Sequence, residues 1–324
     1  MNAITQNDND TQNDGVATMP LSLARTHPFY WSVRRELWEH RAIWMAPLIA
    51  AALILLSFLV NMLHLKAGVS ALAQAPPQEL RMIATGLFGG VAVVIALTMI
   101  TVTWFYCLDA LYSERKDRSI LFWKSLPVSD VTTVTSKLFV ASAVAPSIGL
   151  AIVVGTQFVI LLLGSAIILF AGGSPGALWT SISLLHLATV SLYFLVTQVI
   201  WFAPLTTWLI LVSASVRRSP SLWSLLIPAG VCLVERIALG TSVIYSTLKT
   251  WSMSGYMHAA FTNPGRPDAP AQDSFNLQLS LPSRIVDAMD PIHFLSTPSV
   301  WVGLAIAAAF VAATVWMRRY REPL

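Results

Sequence analysis

The sequence predicts an all-α polytopic membrane protein with six transmembrane helices, on three observations. The chain of 324 residues is 56% apolar and only 11% charged, where a soluble domain carries roughly 25% charge. Its mean hydropathy is +0.66, and a body that apolar would leave large exposed patches in water, so its solvent is lipid. Apolar runs long enough to cross ~30 Å of hydrocarbon, about 20 helical residues each, fall at 42–63, 83–108, 138–170, 184–216, 222–245 and 300–317. The basic residues then alternate in density with those runs. With the N-terminus in the cytosol, fourteen Lys and Arg lie on the inner side and five on the outer, with Arg236 inside a span. That bias follows the positive-inside rule loop by loop and places both termini in the cytosol.

Residues 1–27 are rich in Asn, Asp, Gln and Thr and bury too little apolar area to order themselves, so a disordered cytosolic tail is expected. Residues 28–324 form one transmembrane domain. From Pro28 to Trp44 the pattern is an amphipathic interfacial helix, with Phe29, Val33, Leu37 and Trp44 along one side and Arg34, Arg35, Glu39 and Arg41 mostly opposite. Such a helix lies in the headgroup layer with its apolar side down. The apolar run before Ala73-Gln74-Ala75 is too long and too far from the N-terminus for a cleavable signal, so the first span stays as an anchor. The third and fourth runs exceed the bilayer and must tilt or project. Pro146, Pro204 and Pro228 each remove a backbone donor and are expected to kink their helices. Cys107 and Cys232 both fall in apolar runs as buried thiols, implying no disulfide framework.

Residues 246–299 are the one sizeable outer region. Asn263-Pro264-Gly265, Pro267, Pro270 and Pro282 break it, Ser283 is placed to cap a short helix through Met289 that ends at Asp290-Pro291, and Trp251, Met253, Tyr256 and Met257 are apolar enough for a re-entrant turn.

Several chemistries find no motif. None of the sixteen glycines opens a G-x-x-x-x-G-K-[ST] loop, and no H-E-x-x-H pair, Cys/His cluster or G-x-S-x-G elbow occurs. His27, His40, His64, His186, His258 and His293 are scattered. The chain is therefore expected to be no enzyme, with no metal and no cofactor of its own. Glu235 and Arg236 in the fifth span would each cost roughly 2.5–3.5 kcal/mol at the bilayer centre, so they face protein, water or a boundary. Counting from Leu222 puts Glu235 about 20 Å above the inner edge, where it either meets a substrate or gate or forms a structural ion pair. Thr98, Thr101, Gln157 and Gln198 either line a path or hydrogen-bond between helices. Gly86 and Gly90 permit close helix contact.

The strongest signal lies between the second and third spans. Glu114 and Arg118 stand four residues apart in the favourable order, Ile120, Phe122, Trp123 and Leu126 add large apolar groups, Pro127 stops the helix, and Ser129 or Asp130 can cap the next. The expected product is a short, exposed, charged and aromatic helix. The run Glu114-Arg115-Lys116-Asp117-Arg118-Ser119 followed by Phe122-Trp123-Lys124-Ser125-Leu126-Pro127-Val128-Ser129 resembles the cytosolic segment after the second helix of bacterial ABC-2 type permeases, the membrane subunits of ABC exporters. The six-helix plan, the basic amphipathic start and the large outer region are similar as well.

The resemblance implies that the segment is a coupling helix docking into a cytosolic ABC ATPase subunit, with Glu114, Arg115, Lys116, Asp117, Arg118, Phe122, Trp123, Lys124 and Leu126 as the docking surface. Arg217 and Arg218 would be a second contact. It further implies a permease dimer, homo- or heterodimeric, in the bacterial inner membrane, with ATP and Mg held by the partner ATPase, and no nucleic acid. Two other classes fit the residues: an ion-coupled secondary transporter using Glu235, and a non-transporting membrane scaffold or sensor.

Overall fold

The computed structural model describes residues 28–64, 77–117, 129–170, 172, 174–181, 184–261 and 289–320. The expected tail, most of the 113–127 aromatic stretch and the Ser283 helix lie outside these residues. What is described is helical, and the only strand-like pairing among the described residues is an isolated bridge between Phe261 and Met289.

Among the described residues, five helical stretches are long and apolar enough to cross a membrane: Ala42–Met62, Gly86–Lys116, Asp130–Phe170, Pro220–Ala238 and Pro298–Tyr320. After a short helix, α7 (Gly176–Ser181), the fourth expected span appears as two helices, α8 (Leu184–Trp201) and α9 (Ala203–Ser215), bent by 53° at the break. Pro204 sits in the first turn of α9, where its missing N–H costs nothing but cannot continue α8. The count is thus five, or six when the bent pair is one crossing.

The core is built around α2 (Ala42–His64), α3 (Pro77–Asp109) and α6 (Ala145–Phe170), which pack on one another, with α9 lying against α3 and along α14 (Pro298–Tyr320). Ile43, Phe88, Val91, Ile95, Val153, Ile160 and Val212 fill the space between them. α5 (Asp130–Phe139) leads into α6 through a five-residue π turn at Val140–Val144. The turn lies immediately before Pro146, whose ring would crowd the carbonyl four residues back in a plain α-helix. Pro228, by contrast, lies inside α10 (Pro220–Ala238), which runs on through it.

The amphipathic entry differs from expectation in length and in orientation. α1 (Pro28–Glu39) stops before His40 and does not reach Trp44. Its Val33 and Leu37 pack on the protein core, and Phe29 meets the edge of Phe139 at 5.5 Å. The side expected to lie down in lipid is therefore turned towards α5, and Tyr30, Trp31 and Trp38 are exposed instead.

The fifth span is also shorter than its apolar run. α10 ends at Ala238, and Gly240, at φ +63, turns the chain in the left-handed conformation that glycine adopts without strain. α11 (Val243–Thr250) and α12 (Met253–Ala260) follow. Their corner is tight enough that a Cβ on Gly255 would fall 1.8 Å from the Thr250 carbonyl oxygen. α12 buries Tyr256, Met257, Ala259 and Ala260 against Trp201, Phe294 and Val300 in a second apolar cluster. Asp290, expected to end a helix, caps the start of α13 (Pro291–Ser296) by accepting from the His293 N–H at 2.8 Å.

Candidate functional site

The third residue on the inward stripe of α1, beside Val33 and Leu37, is a carboxylate. Glu36 is completely buried. Its Oε1 accepts from Lys137 Nζ at 2.7 Å and from Arg35 Nη2 at 2.9 Å, and its Oε2 accepts from the Tyr106 hydroxyl at 3.1 Å. Burial alone would push this carboxyl up, but the Lys137 ammonium and then Arg35 hold it below the ordinary carboxylate value.

Lys137, at the end of α5 and only 1% exposed, reaches a second acid. Its Nζ lies 3.0 Å from Glu114 Oε1, and Glu114 belongs to α4 (Tyr112–Lys116), the short helix that continues the second span. Arg35 Nη2 approaches the same oxygen at 3.3 Å. The other oxygen, Oε2, accepts from Arg318 Nη1 at 2.8 Å, and Arg318 Nε donates to Asp130 Oδ1 at 2.9 Å. Asp130 opens α5, whose Ser129 cap accepts from the Thr132 N–H at 3.0 Å. Three carboxylates and three cations thus join α1, α4, α5 and α14. Because each buried charge has a partner of opposite sign, the cluster is tolerable only as a complete set.

Arg115 makes a separate joint. Its Nη2 donates to the carbonyls of Ser213 and Val216, both at 2.7 Å, at the C-terminal end of α9, where a cation meets unpaired carbonyls and the negative end of the helix dipole. Ser213 Oγ returns the contact by accepting from the Leu111 and Tyr112 N–H groups at 3.0 Å each. Lys116 and Asp117 then emerge exposed beside Arg217 and Arg218, which are also exposed.

The residues expected to form a docking surface therefore divide. Glu114 and Arg115, each 7% exposed, are turned inward and are not part of the solvent-facing surface, because they hold the joint together. Lys116, Asp117, Arg217 and Arg218 face out and are brought to one edge. Arg118, Phe122, Trp123, Lys124 and Leu126 lie outside the described residues.

The candidate path residues are dispersed. The Thr98 and Thr101 hydroxyls donate to Val94 and Leu97 carbonyls of their own helix at 2.9 Å. Gln157 is buried and donates to the Phe88 carbonyl at 3.3 Å, as an interhelical strut between α6 and α3. Gln198 is half-buried on α8. Glu235 caps α11: its oxygens accept from Thr241 Oγ1 at 2.8 Å, the Val243 N–H at 2.6 Å and the Ile244 N–H at 2.9 Å. Arg236 is exposed.

Glu36, Asp130, Lys137, Arg318 and Tyr106 are members of the site that the sequence pattern does not single out. Glu36 carried the one available signal, an acid three residues after Val33 on an apolar stripe. Glu36, Glu39 and His40 also bring ligand atoms within 4.8 Å of one another, but Glu36 already holds the Lys137 ammonium, which would repel an arriving metal ion. No family model, curated protein or solved structure matches this chain.

Proposed function

We propose that this chain is the permease subunit of an ATP-driven transporter, powered in trans by a cytosolic ATPase that docks on the edge formed by Lys116, Asp117, Arg217 and Arg218. The observation that supports the reading most is the joint beneath that edge. Arg115 ties α4 to the end of α9, and Glu114 ties it to α1, α5 and α14. A push on the edge would therefore reach the ends of four membrane-crossing stretches as one body rather than bending a loop. Rigid transmission of that kind is what alternating access between two packings requires.

Export, dimerisation and an inner-membrane location with cytosolic termini belong to the same proposal through the resemblance. The ion-coupled alternative has less support, because the Glu235 oxygens are engaged in capping α11.

The test is copurification of the full chain with an ATPase bearing P-loop motifs, followed by ATPase and flux assays in vesicles. Lys116→Glu combined with Arg217→Glu is expected to weaken capture and uncouple hydrolysis from flux. Labelling of a cysteine introduced at Lys116 by an impermeant maleimide from the periplasmic side alone would sink the reading.

A further inference from the structure

We propose that the outward stripe of α1 is a binding site for the phosphate headgroup of an anionic lipid, with Arg34 as its centre. The guanidinium carbon of Arg34 lies 5.3 Å from the ring centroid of Trp31 and 4.8 Å from that of Trp38. Both indoles are themselves exposed, 56% and 67%. A guanidinium beside two rings keeps its fork of N–H donors, and such a fork matches phosphate oxygens in a two-pronged geometry.

Exposed Trp and Tyr beside a cation are costly against plain water and favourable at a headgroup layer, where an apolar ring and a polar N–H or O–H are accommodated together. Tyr30 and Arg41 extend the stripe, both exposed. Its position is set by the chain: α1 ends at Glu39 and the first membrane-crossing helix begins at Ala42. Arg34 is therefore only eight residues ahead of the start of that span.

Charge selects an anionic lipid over a zwitterionic one. The acids of α1 are turned elsewhere, since Glu36 is buried in the ion cluster and Glu39 pairs with Arg35 at 3.5 Å. Among the described residues, Arg34 and Arg41 form no ion pair with a carboxylate. A choline or ethanolamine group would face two like charges, whereas phosphatidylglycerol presents a phosphate alone. The inference needs only the membrane setting and does not rest on transport.

The experiment is native mass spectrometry of the full-length chain released from detergent with phosphatidylglycerol or phosphatidylcholine at equal concentration. The wild type is expected to retain more phosphatidylglycerol. Arg34→Gln is expected to lower that retention about fivefold, the worth of roughly 1 kcal/mol for one basic residue near an anionic surface. Lys249→Gln, which removes the same charge from an exposed position on α11, is expected to leave it unchanged. Trp31→Ala with Trp38→Ala keeps Arg34 but removes its support, and is expected to lose most of the preference for phosphatidylglycerol over phosphatidylcholine. Thermal melting of each variant confirms the fold, because all four substituted side chains are exposed. Equal retention of the two lipids by the wild type, or equal losses in Arg34→Gln and Lys249→Gln, would overturn the proposal.

Discussion

α14 joins two differently built regions. Near its start, Val300 packs in an apolar cluster with Trp201, Tyr256 and Phe294, where aromatic rings meet edge-on or tilted and the Tyr256 hydroxyl pairs with Thr197 Oγ1 at 2.8 Å. Eighteen residues later, about 27 Å along the helix, Arg318 enters the buried charge cluster. Rings can slide and repack at a small cost each, whereas paired buried charges accept one arrangement and are heavily penalised in any other. The aromatic end is built to tolerate adjustment, and the ionic end to keep a fixed geometry between helices.

The largest expected effect breaks the ionic end. Lys137→Met removes the more deeply buried of the two cations that Glu36 and Glu114 share, leaving only Arg35 between them, and is expected to destabilise the fold by about 3–5 kcal/mol in thermal or denaturant unfolding in detergent. Adding Glu36→Gln is expected to recover part of the loss. A double variant no more stable than the single would mean that the cluster is not a coupled set.

Acid is the next way to separate the two ends. The Glu36 carboxyl is held below its ordinary value of 4.5, so its stabilising contribution is complete above that value and is lost as pH falls through the depressed one. Residues 28–39 should therefore gain hydrogen exchange in that acidic window while residues 253–260 stay protected. Simultaneous exposure of both segments would contradict the contrast.

A smaller change tests the aromatic end. Tyr256→Phe removes one buried hydroxyl pair and keeps the rings, so about 1 kcal/mol is expected, with no pH dependence near Glu36's range. The smallest effect is local. Glu235→Ala should unprotect the Val243 and Ile244 amides without shifting the unfolding midpoint appreciably, and loss of proton-driven flux from the same variant would instead favour the ion-coupled class.

How much of this was legible in the sequence depends on what each residue answers to. Spans follow from apolar length, so five helical stretches stand where the runs do. The bend near Pro204 follows from a missing N–H. The early end of α10 was concealed because Leu239, Val243, Ile244 and Tyr245 prolong the hydropathy of the run, although Gly240 marks the turn. Glu114 and Arg115 misled because charge beside a span ordinarily means exposure. Their burial depends on Lys137, Arg318 and the α9 carbonyls, partners 23 to 204 positions distant, which no local pattern can reveal. Lys137 and Arg318 were visible only as members of the positive inner side.

The π turn at Val140–Val144 sets the angular phase of the third membrane stretch. It accommodates one extra residue, with the Ala145 N–H reaching back five positions to the Val140 carbonyl. In an uninterrupted α-helix, the twenty residues from Lys137 to Gln157 would leave those side chains about 200° apart around the axis. The surplus residue reduces this to about 100°. One stretch of chain can thereby present its ammonium to α1 and its amide to α3 from positions about a quarter-turn apart on its own surface rather than back to back.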